Sequence, residues 1–158
     1  MILLSLDAST TAVGWALFDD GEYLESGVYL PRGEDWVDRV IDIDRWLNDN
    51  GLEYDAIGFE LATGNRGNMR TNRMLGAVEF VARQFCRFLD VDLYTVTASQ
   101  VKATGVHKGD IQAAAWIKRE NHPTWQLDPK HPGDEADAIG VALAVDKMIR
   151  ESATLVAE

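Results

Sequence analysis

Four carboxylates in this chain are spaced for metal-assisted phosphodiester chemistry. The opening Ile2-Leu3-Leu4-Ser5-Leu6-Asp7 is an apolar run that delivers one acid; a turn, Ala8-Ser9-Thr10-Thr11, and a second apolar run, Ala12-Val13-Gly14-Trp15-Ala16, follow it. Another short run, Ala56-Ile57-Gly58-Phe59, delivers Glu60. In Gly133-Asp134-Glu135-Ala136-Asp137-Ala138-Ile139-Gly140, Asp134 and Asp137 stand three apart and share one helix face. Two acids at strand ends and two on one helix turn are what a two-metal phosphodiesterase site needs, with ions about 4 Å apart activating a water and stabilising the leaving oxygen. Mg²⁺ takes such oxygen ligands, and carboxylates crowded together recruit cations. The sequence has no Cys or His cluster suited to zinc.

Each acid also has a plainer reading. Asp7 could end a strand and begin a turn, a reading the Ser9-Thr10-Thr11 hydroxyls support too. Asp134 and Asp137 could cap a helix and oppose its dipole. Against that, Asp137 heads the stripe Val141, Ala142, Val145 and Ile149, which should pack on a sheet, and Asp134 shares its face. Glu60 closes an apolar run, where a carboxylate without a partner is rare. Glu135 points away from the pair by this geometry and is taken as a non-ligand.

The elements that must position these groups follow from periodicity. Residues 2–6, 12–18 and 23–30 read as strands joined by short turns, with a hairpin signal at Asp19-Asp20-Gly21. Residues 36–49 repeat apolar positions at helical spacing. A buried strand at 56–61 leads through a loop rich in Gly and Asn to a long helix over 69–89. A strand at 92–97 follows, then a short helical segment capped by Ser99, a helix from near Lys108 to Glu120, a Pro-rich loop, and a last helix from near Asp134. Tight turns make the first three strands antiparallel, and helical crossovers make the later ones parallel. The expected fold is α/β, a five-stranded mixed sheet flanked by helices. It is read as one domain over 1–158, with residues 151–158 as a tail that can fray.

Composition narrows the function. The 158 residues carry a net charge of −11, which argues against general nucleic-acid affinity. The average hides segregation: residues 66–87 hold Arg66, Arg70, Arg73, Arg83 and Arg87 against Glu79 alone, and residues 102–119 hold Lys102, Lys108, Lys118 and Arg119 against Asp110. Such clustering permits one cationic face on an acidic protein. Lys108 at a helix start opposes the dipole unless it meets an anion. The single Cys86 falls in a helical apolar pattern and reads as core. No apolar run reaches 18 residues and no basic leader opens the chain, so the expectation is a cytoplasmic protein with no membrane partner. His107, His122 and His131 are scattered, and none is assigned to catalysis. Trp125, in the Pro-rich loop, is expected to be exposed.

At these residues the chain resembles the RuvC-like Holliday-junction resolvases of the ribonuclease H-like superfamily. The matching pieces are the Asp7-x-Ser-Thr-Thr-x-x-Gly-Trp opening, which looks closest to phage-type members, Glu60 ending the fourth strand, Ser99-Gln100-Val101-Lys102 leading to Gly105 and Lys108, and Asp134-Glu135-Ala136-Asp137-Ala138-Ile139. The resemblance covers most of the chain. It implies a metal-dependent endonuclease that cuts four-way DNA junctions as a homodimer in a bacterial or phage-infected cell. It implies Asp7, Glu60, Asp134 and Asp137 as ligands of two Mg²⁺ ions, with Mn²⁺ able to substitute. Lys102 and Lys108 would correspond to the basic residues beside the scissile strand. Arg66, Met69, Arg70 and Arg73, in and after the Gly64–Gly67 loop, are the candidate DNA contacts. The long helix at 69–89 is the candidate dimer interface, because Leu75, Val78, Phe80, Val81 and Phe85 exceed one core-facing stripe.

Three rivals stand beside this reading. Actin-like and sugar-kinase phosphotransferases open similarly, but they need two such domains and a second Gly-rich phosphate loop. A non-catalytic junction-binding scaffold would be signalled by loss of a carboxylate. A broader branched-DNA or RNA–DNA hybrid nuclease of the same fold is separated only by substrate.

Overall fold

The computed structural model describes residues 1–61, 69–106 and 110–156. Arg66 and Lys108 lie outside the described residues. Strands β1 (Ile2–Ala8), β2 (Val13–Asp19) and β3 (Glu22–Tyr29) form a meander, and its β2–β3 turn has positive φ at Asp20 and Gly21, as a two-residue hairpin turn requires. Helix α1 (Trp36–Asp49) leads to β4 (Ala56–Leu61), α2 (Met69–Leu89) to β5 (Asp92–Thr97), and α3 (Ala98–Lys102), α4 (Ile111–Asn121) and α5 (Pro132–Val156) complete the order. The sheet order is β3-β2-β1-β4-β5, antiparallel among the first three strands and parallel for β1–β4 and β4–β5. This is the five-stranded mixed sheet expected from the sequence.

The side-chain period of two divides the sheet into unlike faces. Leu4, Leu6, Val13, Leu17, Ile57 and Phe59 pack with Val40, Ile43 and Leu47 of α1 and Val78, Ala82, Phe85 and Cys86 of α2. Leu3, Ala16, Phe18, Ala56 and Val96 pack with Ala138, Val141, Ala142 and Val145 of α5. Cys86 is a buried free thiol whose pKa burial pushes up to about 11, as its core position implied.

Several boundaries differ from the sequence expectation: β1 runs on to Ala8, and α4 begins at Ile111 rather than near Lys108. Thr97, not Ser99, caps α3: its hydroxyl accepts from Gln100 N while the Gln100 side chain accepts from Thr97 N, a reciprocal capping box. Helix α5 begins at Pro132 rather than Asp134, because proline suits a first helical turn, where its missing N–H is not needed.

Candidate active site

Strand direction brings the carboxylates to one end. β1 and β4 run parallel in the register Leu6↔Phe59, so Asp7 and Glu60 come next on adjoining strands. Asp7 pairs across the other side of β1 with Gly14 of β2. A Cβ at Gly14 would collide with the Asp134 carbonyl, so glycine here lets the first turn of α5 rest on the strand beside Asp7. One turn further, the single Ser5 hydroxyl hydrogen is shared between Ala138 O at 2.7 Å and Ala16 O at 3.1 Å, fixing the helix over β1. Gly58 then meets Val145 and Val141, so α5 descends the sheet from the Asp7 end toward Leu3.

Asp7, Glu60, Asp134 and Asp137 are all half-buried, sheltered yet reachable from solvent. Each takes part in interactions with its surroundings. They gather at the carboxyl ends of β1 and β4 and the amino end of α5, on the face that α5 covers. Among the described residues, no three His, Cys, Asp or Glu side chains stand close enough together to hold a metal ion. The donor set is nonetheless all oxygen, which fits a hard divalent cation rather than zinc or copper.

Other expected residues separate. Lys102 ends α3 and is exposed, just past the carboxyl end of β5 and so at the same end of the sheet. Val106 packs its carbonyl against Gly140, which seats the segment after α3 on α5. Met69, Arg70 and Arg73 begin α2 on the opposite face, where they line a cleft of about 470 Å³ together with Trp36. Because β3 and β4 both end at the Asp7 end, the starts of α1 and α2 lie there too. Trp36 was read from the sequence only as a helical core position; its place at this rim depends on strand order.

Two features near the acids escaped the sequence reading. His131 Nδ1 lies 3.3 Å from Asp134 Oδ2, a contact at i,i+3 that spacing alone could have suggested. Glu135, expected to point away from the pair, does so into full burial: it is 0% exposed and bonded to Lys118 Nζ, also 0% exposed. Burial drives the Lys118 pKa down to about 8, partly offset by the Glu135 carboxylate. The Lys118 ammonium also sits over the Trp125 ring, so Trp125 is half-covered rather than the exposed residue expected.

The chain resembles solved structures along nearly its full length. Thermus thermophilus RuvC in complex with Holliday junction substrate matches 96% of this chain and 96% of its own, with a TM-score of 0.71 and 18% identity. A second Thermus thermophilus RuvC structure matches with a TM-score of 0.68, 18% identity and coverage of 96% and 97%. Fowlpox virus resolvase, in complex with substrate Holliday junction DNA, matches with a TM-score of 0.54, 12% identity and coverage of 94% and 99%. No family model matches the chain, and no curated protein matches it by sequence. The fold is therefore that of the RuvC and poxvirus resolvase structures, a ribonuclease H-like mixed sheet with helices on both faces.

Proposed function

We propose that this chain is a metal-dependent endonuclease that resolves four-way DNA junctions by paired symmetric cuts. The observation that carries the reading is the meeting of β1, β4 and the first turn of α5, which sets Asp7, Glu60, Asp134 and Asp137 at one end of a fold shared with two junction-bound resolvases. These four would hold two divalent ions, Mg²⁺ or Mn²⁺, which when bound supply a nucleophilic water and charge neutralisation at the phosphate. The chain's own residues do the rest. His131 steadies Asp134 through its ring nitrogen. Lys102, with Lys108, meets the phosphates beside the cut. Trp36, Met69, Arg70 and Arg73 take the DNA on the far side of the same sheet end; Arg66 is proposed as a further DNA contact.

Two cuts in strands related by a two-fold axis call for two sites in that relation, which a C₂ homodimer supplies. Helix α2 offers the surface, with Phe80 64% and Phe88 84% exposed. In this reading residues 1–158 act as one nuclease domain in the cytoplasm; among the described residues no helix is long and apolar enough to cross a membrane.

The test is Mg²⁺-dependent cleavage of end-labelled four-way junction, linear duplex, flap and RNA–DNA hybrid. The expected result is paired cuts on opposed junction strands, with duplex and hybrid spared. Equal cutting of flaps or hybrids would favour the broader nuclease, and no cutting of any substrate would overturn the proposal.

A further inference from the structure

We infer that Glu135 is a positioning residue for the carboxylate site, the strut that sets the first turn of α5 and with it Asp134 and Asp137. The inference rests on the reading of those two as metal ligands. Glu135 lies between them in sequence, yet its carboxylate faces the other way and is fully occupied. Oε1 accepts from Ser26 Oγ of β3 at 2.7 Å and from Lys118 Nζ of α4. Oε2 accepts from Asp128 N, in the loop before α5, at 2.7 Å. One side chain thus ties a strand, a helix and a loop to the turn that carries two of the four candidate ligands.

The tie continues to the site itself. Asp128 Oδ1 accepts from Lys130 N at 2.8 Å and His131 N at 2.7 Å, closing the loop onto the helix start. His131 O accepts from Glu135 N at 3.4 Å, and the His131 ring reaches Asp134. A polar chain therefore runs Lys118, Glu135, Asp128, His131, Asp134. Tyr23 OH and Ser26 Oγ, 3.0 Å apart, extend it into the sheet. Trp125 lies against the Lys118 ammonium and restricts water there.

Stability alone is a poor reason to keep this arrangement. A buried ion pair is often no better than apolar side chains of the same volume, because desolvation offsets the attraction. What it offers is direction: three donors from three elements admit one orientation of the carboxylate, whereas an apolar contact admits several. Residues behind metal ligands act in this way, and their loss commonly weakens metal affinity or activity 10–100-fold.

The test replaces the pair with apolar residues. Glu135→Met combined with Lys118→Met should keep fold and melting behaviour near wild type. Mn²⁺ binding, read from the loss of the free-ion electron paramagnetic resonance signal, should weaken about 10- to 100-fold. The Mg²⁺ concentration that half-saturates junction cutting should rise in step. Glu135→Gln alone, which keeps one acceptor oxygen and so either the Ser26 or the Asp128 contact but not both, should fall between. A folded double variant that binds Mn²⁺ like wild type overturns the inference. If the double variant does not fold, Glu135→Gln decides: unchanged Mn²⁺ affinity overturns it, a weakened one supports it. Wild-type protein that binds no Mn²⁺ would instead sink the ligand assignment, and this inference with it, so the two failures show in different arms.

Discussion

The two faces of the sheet solve different problems. Toward α1 and α2 the strands present Leu4, Leu6, Val13, Leu17, Ile57 and Phe59, and the helices rest on these large side chains. Toward α5 the large side chains Leu3 and Phe18 lie at the far end, and nearer Asp7 the strands present Ser5, Gly14, Ala16 and Gly58, where the helix backbone touches the sheet through the Ser5–Ala138 hydrogen bond and the Gly14–Asp134 contact. The first face makes stability from apolar area, roughly 25 cal/mol per Å² removed from water. The second gives up side-chain volume for closeness, and that closeness sets the Asp134 turn beside Asp7. A helix held off by one leucine layer could not do so.

Substitutions on each face should therefore fail in different ways. Gly14→Val forces the first turn of α5 off the strand. Cleavage should drop about 100-fold, the size of effect an ångström-scale misplacement can have. Overpacking should cost about 1–3 kcal/mol in urea denaturation. Leu6→Ala on the other face should lose more stability, about 2–5 kcal/mol, while the folded fraction cuts at the wild-type rate. Equal loss of cleavage in both variants would erase the distinction between the faces.

A smaller effect belongs to the sheet end. Lys102→Ala should weaken cleavage and lower the salt slope of junction binding by roughly one unit, the signature of one lost phosphate contact. Neutralising Asp38 and Asp44 on α1 should change neither. An unchanged slope for Lys102→Ala would move the scissile strand elsewhere.

The smallest expected effect is on stability against pH. Lys118 has its pKa held at about 8 in the fold, from an ordinary 10.5, by burial. Between those values the unfolded chain holds one more proton at this site, so this group's contribution to unfolding free energy rises with pH. Below about 8 both states are protonated and the contribution is flat. Denaturation of wild type and Lys118→Met at pH 7.5 and 9.5 should show the difference shifting in favour of wild type at the higher pH. No shift between the two pH values would mean that Lys118 stays charged through its contact with Glu135.

Local pattern carried much of this architecture. Helices 36–49 and 69–89 and strand 92–97 fall where periodicity places them, and strand 56–61 falls where its short apolar run does. The Thr97 cap was also legible: Thr-x-x-Gln at residues 97–100 spells a capping box that the neighbouring Ser99 obscured. The Lys118–Glu135 pair was not legible. Its partners are 17 residues apart on different helices, and only the packing of α4 against α5 brings them together. Trp36 joins Arg70 and Arg73 for the same reason: the common strand ends that unite them are properties of topology, not of spacing.

The most direct test of the site is junction cleavage by Asp7→Asn and Asp137→Asn in saturating Mg²⁺, with circular dichroism and junction binding measured on the same preparations. Each variant loses one oxygen ligand's charge with almost no change in volume. Both should remain folded, bind the junction and lose detectable cutting. Near wild-type cutting by either folded variant would contradict the assignment of this end of the sheet as the active site.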